Sequence, residues 1–166
     1  MVTKKLALKK KSYEAGKIVS LLKKNGASVA VAESITAGGL AERITEVPGA
    51  SDVFLGGVVA YSDAMKTTLL SVPKRLITKH TAVSEEVAIA MAQGTREITK
   101  ATYAIATTGV AGPGTAYGQK PGTVWVAIAS KKQTQTIALA LAGDRETVRN
   151  ATITSAIAAF ERILLS

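Results

Sequence analysis

One junction narrows the folds open to this chain more than any other segment: VAVAESITAGGLAERI, residues 29–44. A short run rich in β-branched residues stops at Glu33, Ser34 and Thr36 and crosses Ala37, Gly38 and Gly39. It then enters a segment with Leu40, Ala41, Ile44 and Val47 at helical spacing. Apolar periods of two and of 3.6 residues belong to different elements, so a buried strand over 28–32 hands over directly to a helix over 37–46. A helix leaving a buried strand must pack back on the sheet, which points to a layered α/β domain.

The remaining segments agree. Ala15, Ile18, Val19 and Leu22 predict a helix over 12–25, with Ser12 as N-cap and Gly26 as its stop. Residues 53–61 read as a second strand that runs into a short helix from Ser62, and Pro73 stands where another short helix would begin. Ser84 caps a longer helix, Glu85 and Glu86 complement its dipole, and Val87, Ala90, Met91, Gly94 and Ile98 form its apolar stripe. Residues 102–107 are a third strand. Residues 122–130 and 133–142, joined at Lys131-Lys132, form a hairpin, which makes the sheet mixed. Asp144 caps the last helix, with Ile153, Ile157, Phe160 and Leu164 inward.

Composition removes several classes of chemistry. The 166 residues suit one domain, 12–166, preceded by a basic tail over 1–11. With no cysteine, thiol catalysis and thiolate metal sites are excluded; with one histidine and no His/carboxylate spacing a zinc site is not expected, and neither another metal nor a cofactor is expected. No apolar run approaches the roughly 20 residues of a membrane helix, and the N-terminus lacks a secretory apolar region, so a cytoplasmic protein without a membrane partner is expected. The net charge is +9, with Lys4, Lys5, Lys9, Lys10, Lys11 and Lys17 near the start. Such a run reads as a solvated terminus. Without interleaved aromatics it does not make nucleic acid an expected partner.

Ligands of open α/β sheets sit outside the carboxyl ends of the strands. Three such ends carry polar residues: Glu33-Ser34-Ile35-Thr36, Tyr61-Ser62-Asp63 and Thr107-Thr108-Gly109. If the three strands are parallel neighbours, these groups converge. Ser34 lies just before a helix N-terminus, where free amides stabilise an oxyanion. It needs a base. His80 lies in a polar connection with no acidic neighbour to orient it, whereas Lys66, five residues after Tyr61, could serve as in Ser-Lys variants of the triad, or could equally face solvent. Three near-matches fail. Met65 occupies the lysine position of a Y-x-x-x-K motif, Gln119 separates Gly118 from Lys120 where a Walker A loop needs them adjacent, and Gly112, Gly114 and Gly118 miss the dinucleotide spacing. Gly112, Pro113, Gly114, Pro121 and Gly122 instead describe a tight loop, either a plain connection or a substrate wall.

Six segments in order, AESITAGGLAERIT, GGVVAYSDAMK, AVSEEVAIAMAQG, TTGVAGPG, KPGTVWVAIA and GDRETVR, resemble the CinA C-terminal domain family, from about Ala27 to the C-terminus. Characterised members of that family are nicotinamide-nucleotide amidases. The resemblance implies a three-layer α/β/α sandwich with a mixed sheet. It also implies hydrolysis of the carboxamide of nicotinamide mononucleotide to nicotinate mononucleotide and ammonia. It makes Ser34 the nucleophile, Lys66 its base, and Tyr61 the group that orients the lysine or relays its proton. Amides near Ala37 and Gly38 become the oxyanion donors, and Glu33, Thr36, Thr108, Gly109, Gly112 and Arg145 are further substrate-binding candidates. Arg145 also fits a plain role beside Asp144. The common family form A-E-S-C-T-G-G is altered here, with Ile35 for the cysteine and Ala37 for the first glycine. Two rival readings stay open: a non-catalytic competence- or damage-associated protein with a basic face toward nucleic acid, and an amidase for another small amide. Self-association is also left open.

Overall fold

The structure, a computed structural model, describes residues 15–166. The expected Ser12 cap and the whole of the basic tail lie outside the described residues. The chain forms α1 (15–24), β1 (Val29–Glu33), α2 (Gly39–Thr45) and β2 (Phe54–Val59). Then follow α3 (Asp63–Leu70), α4 (Lys74–His80), α5 (Glu85–Thr99) and β3 (Tyr103–Gly109), and finally β4 (Thr123–Ala129), β5 (Thr134–Ala140) and α6 (Arg145–Leu165). The five strands form one sheet in the order β2-β1-β3-β4-β5. β1 pairs parallel with β2 and with β3, while β3–β4 and β4–β5 are antiparallel. The mixed α/β sheet expected from the sequence is therefore present, and the three strands with polar ends are parallel neighbours.

The two sheet faces differ in side-chain size rather than in polarity. Val29, Val31, Ile105, Val124, Val126 and Ile128 meet α1, α2 and α6 in one apolar cluster, while Ala32, Ala106, Ala127 and Ala129 meet α5 in the other. Successive side chains on a strand point to opposite faces, so the V-A-V-A and V-A-I-A spellings sort large from small automatically. The alanine face lets α5 lie close, and α5 answers with Ala88 and Ala92. Its buried seam runs through Val87, Ala88, Met91, Ala92 and Thr95. This is a correction to the expected stripe, since Ile98 is 52% exposed. Small residues rather than bulky ones face the sheet wherever the helix must approach it closely. On the other face, Ile153, Ile157, Phe160 and Leu164 of α6 are buried as expected, each worth about 1.5–3 kcal/mol of transfer free energy when fully covered.

The caps hold as the sequence spells them. The hydroxyls of Ser62 and Ser84 and the carboxylate of Asp144 accept the amides of Met65, Val87 and Thr147. α2 is different. It starts at Gly39 rather than at residue 37, because Ala37 and Gly38 are left-handed at φ 49° and 96° and no N-cap side chain serves it. Its amides are held from a distance by Glu33.

Candidate active site

β1 ends at Glu33, and the next residue, Ser34, sits in a turn wedged between the ends of β2 and β3. The Ser34 amide donates to the Thr107 carbonyl at 3.0 Å, which fixes the turn to the adjacent strand. The buried Glu33 carboxylate turns away from the crevice and accepts the amides of Gly38 (2.9 Å), Leu40 (3.0 Å) and Ala41 (2.8 Å). It is an internal cap that supplies the negative charge a helix N-terminus favours. The Arg149 guanidinium holds the other side of the turn, donating to the carbonyls of Ile35 (3.2 Å) and Thr36 (2.7 Å).

Ser62 caps α3 so that Lys66, one turn in, reaches back beneath the end of β2. Its side chain is only 1% exposed, and Nζ donates to Ser34 Oγ at 3.1 Å and to the Tyr61 carbonyl at 3.3 Å. A lysine ammonium is costly to bury without full pairing. Burial pushes the Lys66 pKa below its ordinary 10.5, and Asp63, 3.9 Å away, opposes that shift. A serine hydroxyl thus touches an amine biased toward its neutral form, the arrangement a nucleophile and its base require.

Ser34 and Lys66 line a cavity of about 250 Å³, together with Ile35, Tyr61, Gly109, Gly112 and Arg145. This is small beside typical ligand pockets of roughly 300–1,000 Å³, and it fits the reacting end of a substrate. Gly109 is required by space, since a Cβ there would lie 2.7 Å from the Thr123 carbonyl oxygen and 3.0 Å from Ile35. Arg145, the first residue of α6, donates to the Gly112 carbonyl (3.1 Å) and to the Tyr61 hydroxyl (2.9 Å). It therefore crosses the mouth of the cavity and does not serve Asp144.

Several residues singled out from the sequence lie elsewhere. The Thr36 hydroxyl is buried against that of Thr107 at 2.7 Å, and the Thr108 hydroxyl donates to the Ala82 carbonyl at 2.7 Å. Neither faces the cavity. Ala37 is exposed and the Gly38 amide is taken by Glu33, so the expected oxyanion donors are spent or misplaced. Ile35 follows the serine directly and lines the cavity, and among the described residues its amide meets no acceptor. The Tyr61 hydroxyl points to Arg145, and it is the tyrosine's carbonyl that touches Lys66. His80 closes α4 and pairs with Glu86 at 2.9 Å. Sequence reasoning missed Arg149 and Tyr117, and it placed Asp63 at a polar strand end without giving it a role. Arg149 had a readable signal, standing one helical turn after Arg145 on α6. Among the described residues no group of His, Asp or Glu side chains is placed to hold a metal ion, and no helix is long and apolar enough to cross a membrane.

Fold and site together define a class: a layered α/β domain that presents a serine–lysine pair at the carboxyl ends of parallel strands. The chain belongs to the CinA C-terminal domain family, whose model matches residues 11–164, and some members of that family are enzymes. The CinA-like protein of Geotalea uraniireducens is 43% identical over 150 residues, covering 90% of this chain and 36% of the relative. The CinA-like protein of Myxococcus xanthus is 42% identical over 149 residues, covering 89% of this chain and 35% of the relative. The chain thus spans about a third of the length of these curated relatives. Among solved structures, the competence damage-inducible protein A of Klebsiella pneumoniae superposes with a TM-score of 0.91 at 33% identity, covering 93% of this chain and 97% of that one. The competence-damaged protein superfamily member of Escherichia coli superposes at 0.88 and 32% identity, covering 94% and 90%.

Proposed function

We propose that this chain is an amidohydrolase acting on the carboxamide of nicotinamide mononucleotide. The observation that carries the reading is the 3.1 Å contact between Ser34 Oγ and the buried Lys66 Nζ at the floor of the cavity. Neutral Lys66 accepts the Ser34 proton as Oγ attacks the carboxamide carbon. The amide of Ile35 is the donor best placed for the oxyanion that forms. The resulting lysine ammonium returns its proton to the departing nitrogen as the C–N bond breaks, releasing ammonia and leaving a nicotinoyl ester on Ser34. Water, deprotonated by the same lysine, then attacks the ester; the lysine returns that proton to Ser34 Oγ as the C–O bond breaks, and the carboxylic acid is freed. Arg145 at the cavity mouth is the cation for the nucleotide phosphate. No metal and no organic cofactor enters these steps.

The test is ammonia release from nicotinamide mononucleotide, nicotinamide riboside and NAD by the purified chain, alongside Ser34→Ala and Lys66→Arg. Nicotinamide mononucleotide should be the best substrate. Both variants should lose on the order of a thousandfold or more, because nucleophile and base act as a unit and a guanidinium does not give up its proton. Release from none of the three, or undiminished release by Ser34→Ala, would remove the proposal. A ranking that favours another compound would keep the chemistry and change the substrate.

A further inference from the structure

The segment between β3 and β4, residues 110–122, closes over the cavity with Gly112, Gly114, Ala116 and Tyr117 on its inner wall. Ala116 and Gln119 exchange backbone hydrogen bonds at 3.1 and 2.9 Å, making a tight turn whose two central residues, Tyr117 and Gly118, are both left-handed. The turn aims Tyr117 at α3, where its hydroxyl donates to Asp63 Oδ1 at 3.0 Å. The same oxygen lies 3.9 Å from Lys66 Nζ. One carboxylate oxygen therefore stands between two suitors, the phenol at hydrogen-bond distance and the lysine just beyond it.

We propose that Asp63 and Tyr117 are positioning residues that form a latch, through which the 110–122 loop decides whether Lys66 is free to act as the proton acceptor for Ser34. With the loop seated, the phenol occupies Oδ1 and draws on its charge, and Nζ stays with Ser34 Oγ and the Tyr61 carbonyl. With the loop lifted, Oδ1 loses its phenol and the ammonium becomes its natural partner. The lysine then protonates and turns from the serine. The base is armed only when the cavity is covered, so the nucleophile is activated when bulk water is shut out.

The other groups facing Lys66 do not substitute for this device. Ser34 lies at the end of β1 and is neutral. Tyr61 offers a carbonyl, while its hydroxyl is turned to Arg145. Arg145, at the start of α6, also lines the cavity, where it is held by the Tyr61 hydroxyl and the Gly112 carbonyl. Ile35, Val83, Val110 and Ala111 also line the cavity and are apolar. Asp63, 3.9 Å from Nζ, is thus the carboxylate beside Lys66, and burial acts against it in setting the lysine's proton affinity.

The latch rests on the Ser34–Lys66 reading, and its test needs no substrate. The full chain is labelled with [13C]lysine, and the Lys66 ε-carbon signal is assigned by its loss in Lys66→Arg. The signal is then titrated in the parent, Tyr117→Phe, Asp63→Asn and the double variant. Asp63 and Tyr117 are 40% and 47% exposed, so these near-isosteric changes leave the fold in place. Tyr117→Phe should raise the Lys66 midpoint and Asp63→Asn should lower it, each by roughly half a pH unit, the size expected of a partly solvated ion pair. The double variant should match Asp63→Asn alone, because the phenol acts only through the carboxylate. A midpoint unmoved by Tyr117→Phe, or a Tyr117 effect that survives in the Asp63→Asn background, would overturn the latch. If the midpoints move as expected while no carboxamide is cleaved, the latch stands and the amidase reading fails.

Discussion

Lys66 concentrates the energetic conflict of this molecule. Its four-carbon stem and amine are buried at 1% exposure, and its proton affinity is pushed down by that burial against the pull of Asp63. A group whose folded pKa lies below its unfolded value burdens the folded state while both states are protonated. The burden is fully present below the folded pKa, shrinks as pH rises between the two values, and is gone above the unfolded value near 10.5. Lys66→Met should therefore melt above the parent at neutral pH, and its advantage should narrow as the buffer approaches pH 10.5. Thermal unfolding of the two proteins from pH 7 upward checks this, and a constant difference across that range would show that Lys66 is not held against its charge. On the proposed mechanism, carboxamide cleavage should fall toward acid pH, since protonated Lys66 cannot take the Ser34 proton. Ala37 is a smaller conflict. It holds a left-handed φ of 49° that costs a non-glycine residue about 1–2 kcal/mol, at the position where glycine is the common family residue.

At the scale of elements, α2 is a seven-residue helix without a side-chain N-cap of its own, and it depends on Glu33 in the preceding strand. Three amides converge on that carboxylate at 2.8–3.0 Å. Hydrogen bonds to a charged acceptor are worth roughly 1.5–3 kcal/mol, and an unpaired buried donor costs a comparable amount. Glu33→Gln keeps one acceptor oxygen and sets an amide group against the third donor. It should lose about 2 kcal/mol in chemical denaturation and depress turnover as well, because Glu33 is itself the neighbour of Ser34 and ties that turn to α2. A loss below about 0.5 kcal/mol would mean that α2 is held by packing of Leu40 and Ile44 alone. Arg149 braces the same turn from α6, so the serine is fixed by two elements that meet only in the folded chain.

Over the whole molecule, the family match begins at residue 11, and the serine–lysine pair is built entirely from β1, β2 and α3. Removing residues 1–10 takes away four of the twenty-one basic residues and none of the groups around Ser34. The shortened chain should keep the melting temperature and ammonia release of the parent. A folded but inactive truncation would give the basic segment a part in the site. Much of the architecture was legible beforehand, because capping, periodicity and strand alternation are local: Ser62, Ser84 and Asp144 cap where the sequence spells them, and the mixed sheet follows from a hairpin added to strand–helix alternation. The polar strand ends also marked the crevice before any coordinates. The direction of each polar group was not legible. Glu33, Thr36 and Thr108 look like ligand-binding residues in a linear reading, and each is consumed, Glu33 by the amides of the next helix and Thr36 and Thr108 by partners far along the chain. Tyr117 and Arg149 look like surface residues until the loop after β3 and the helix after β5 fold back to the end of β1. Local sequence sets which groups a strand end carries. Only tertiary packing, by deciding which of their hydrogen bonds are already spent, leaves Ser34 and Lys66 facing each other.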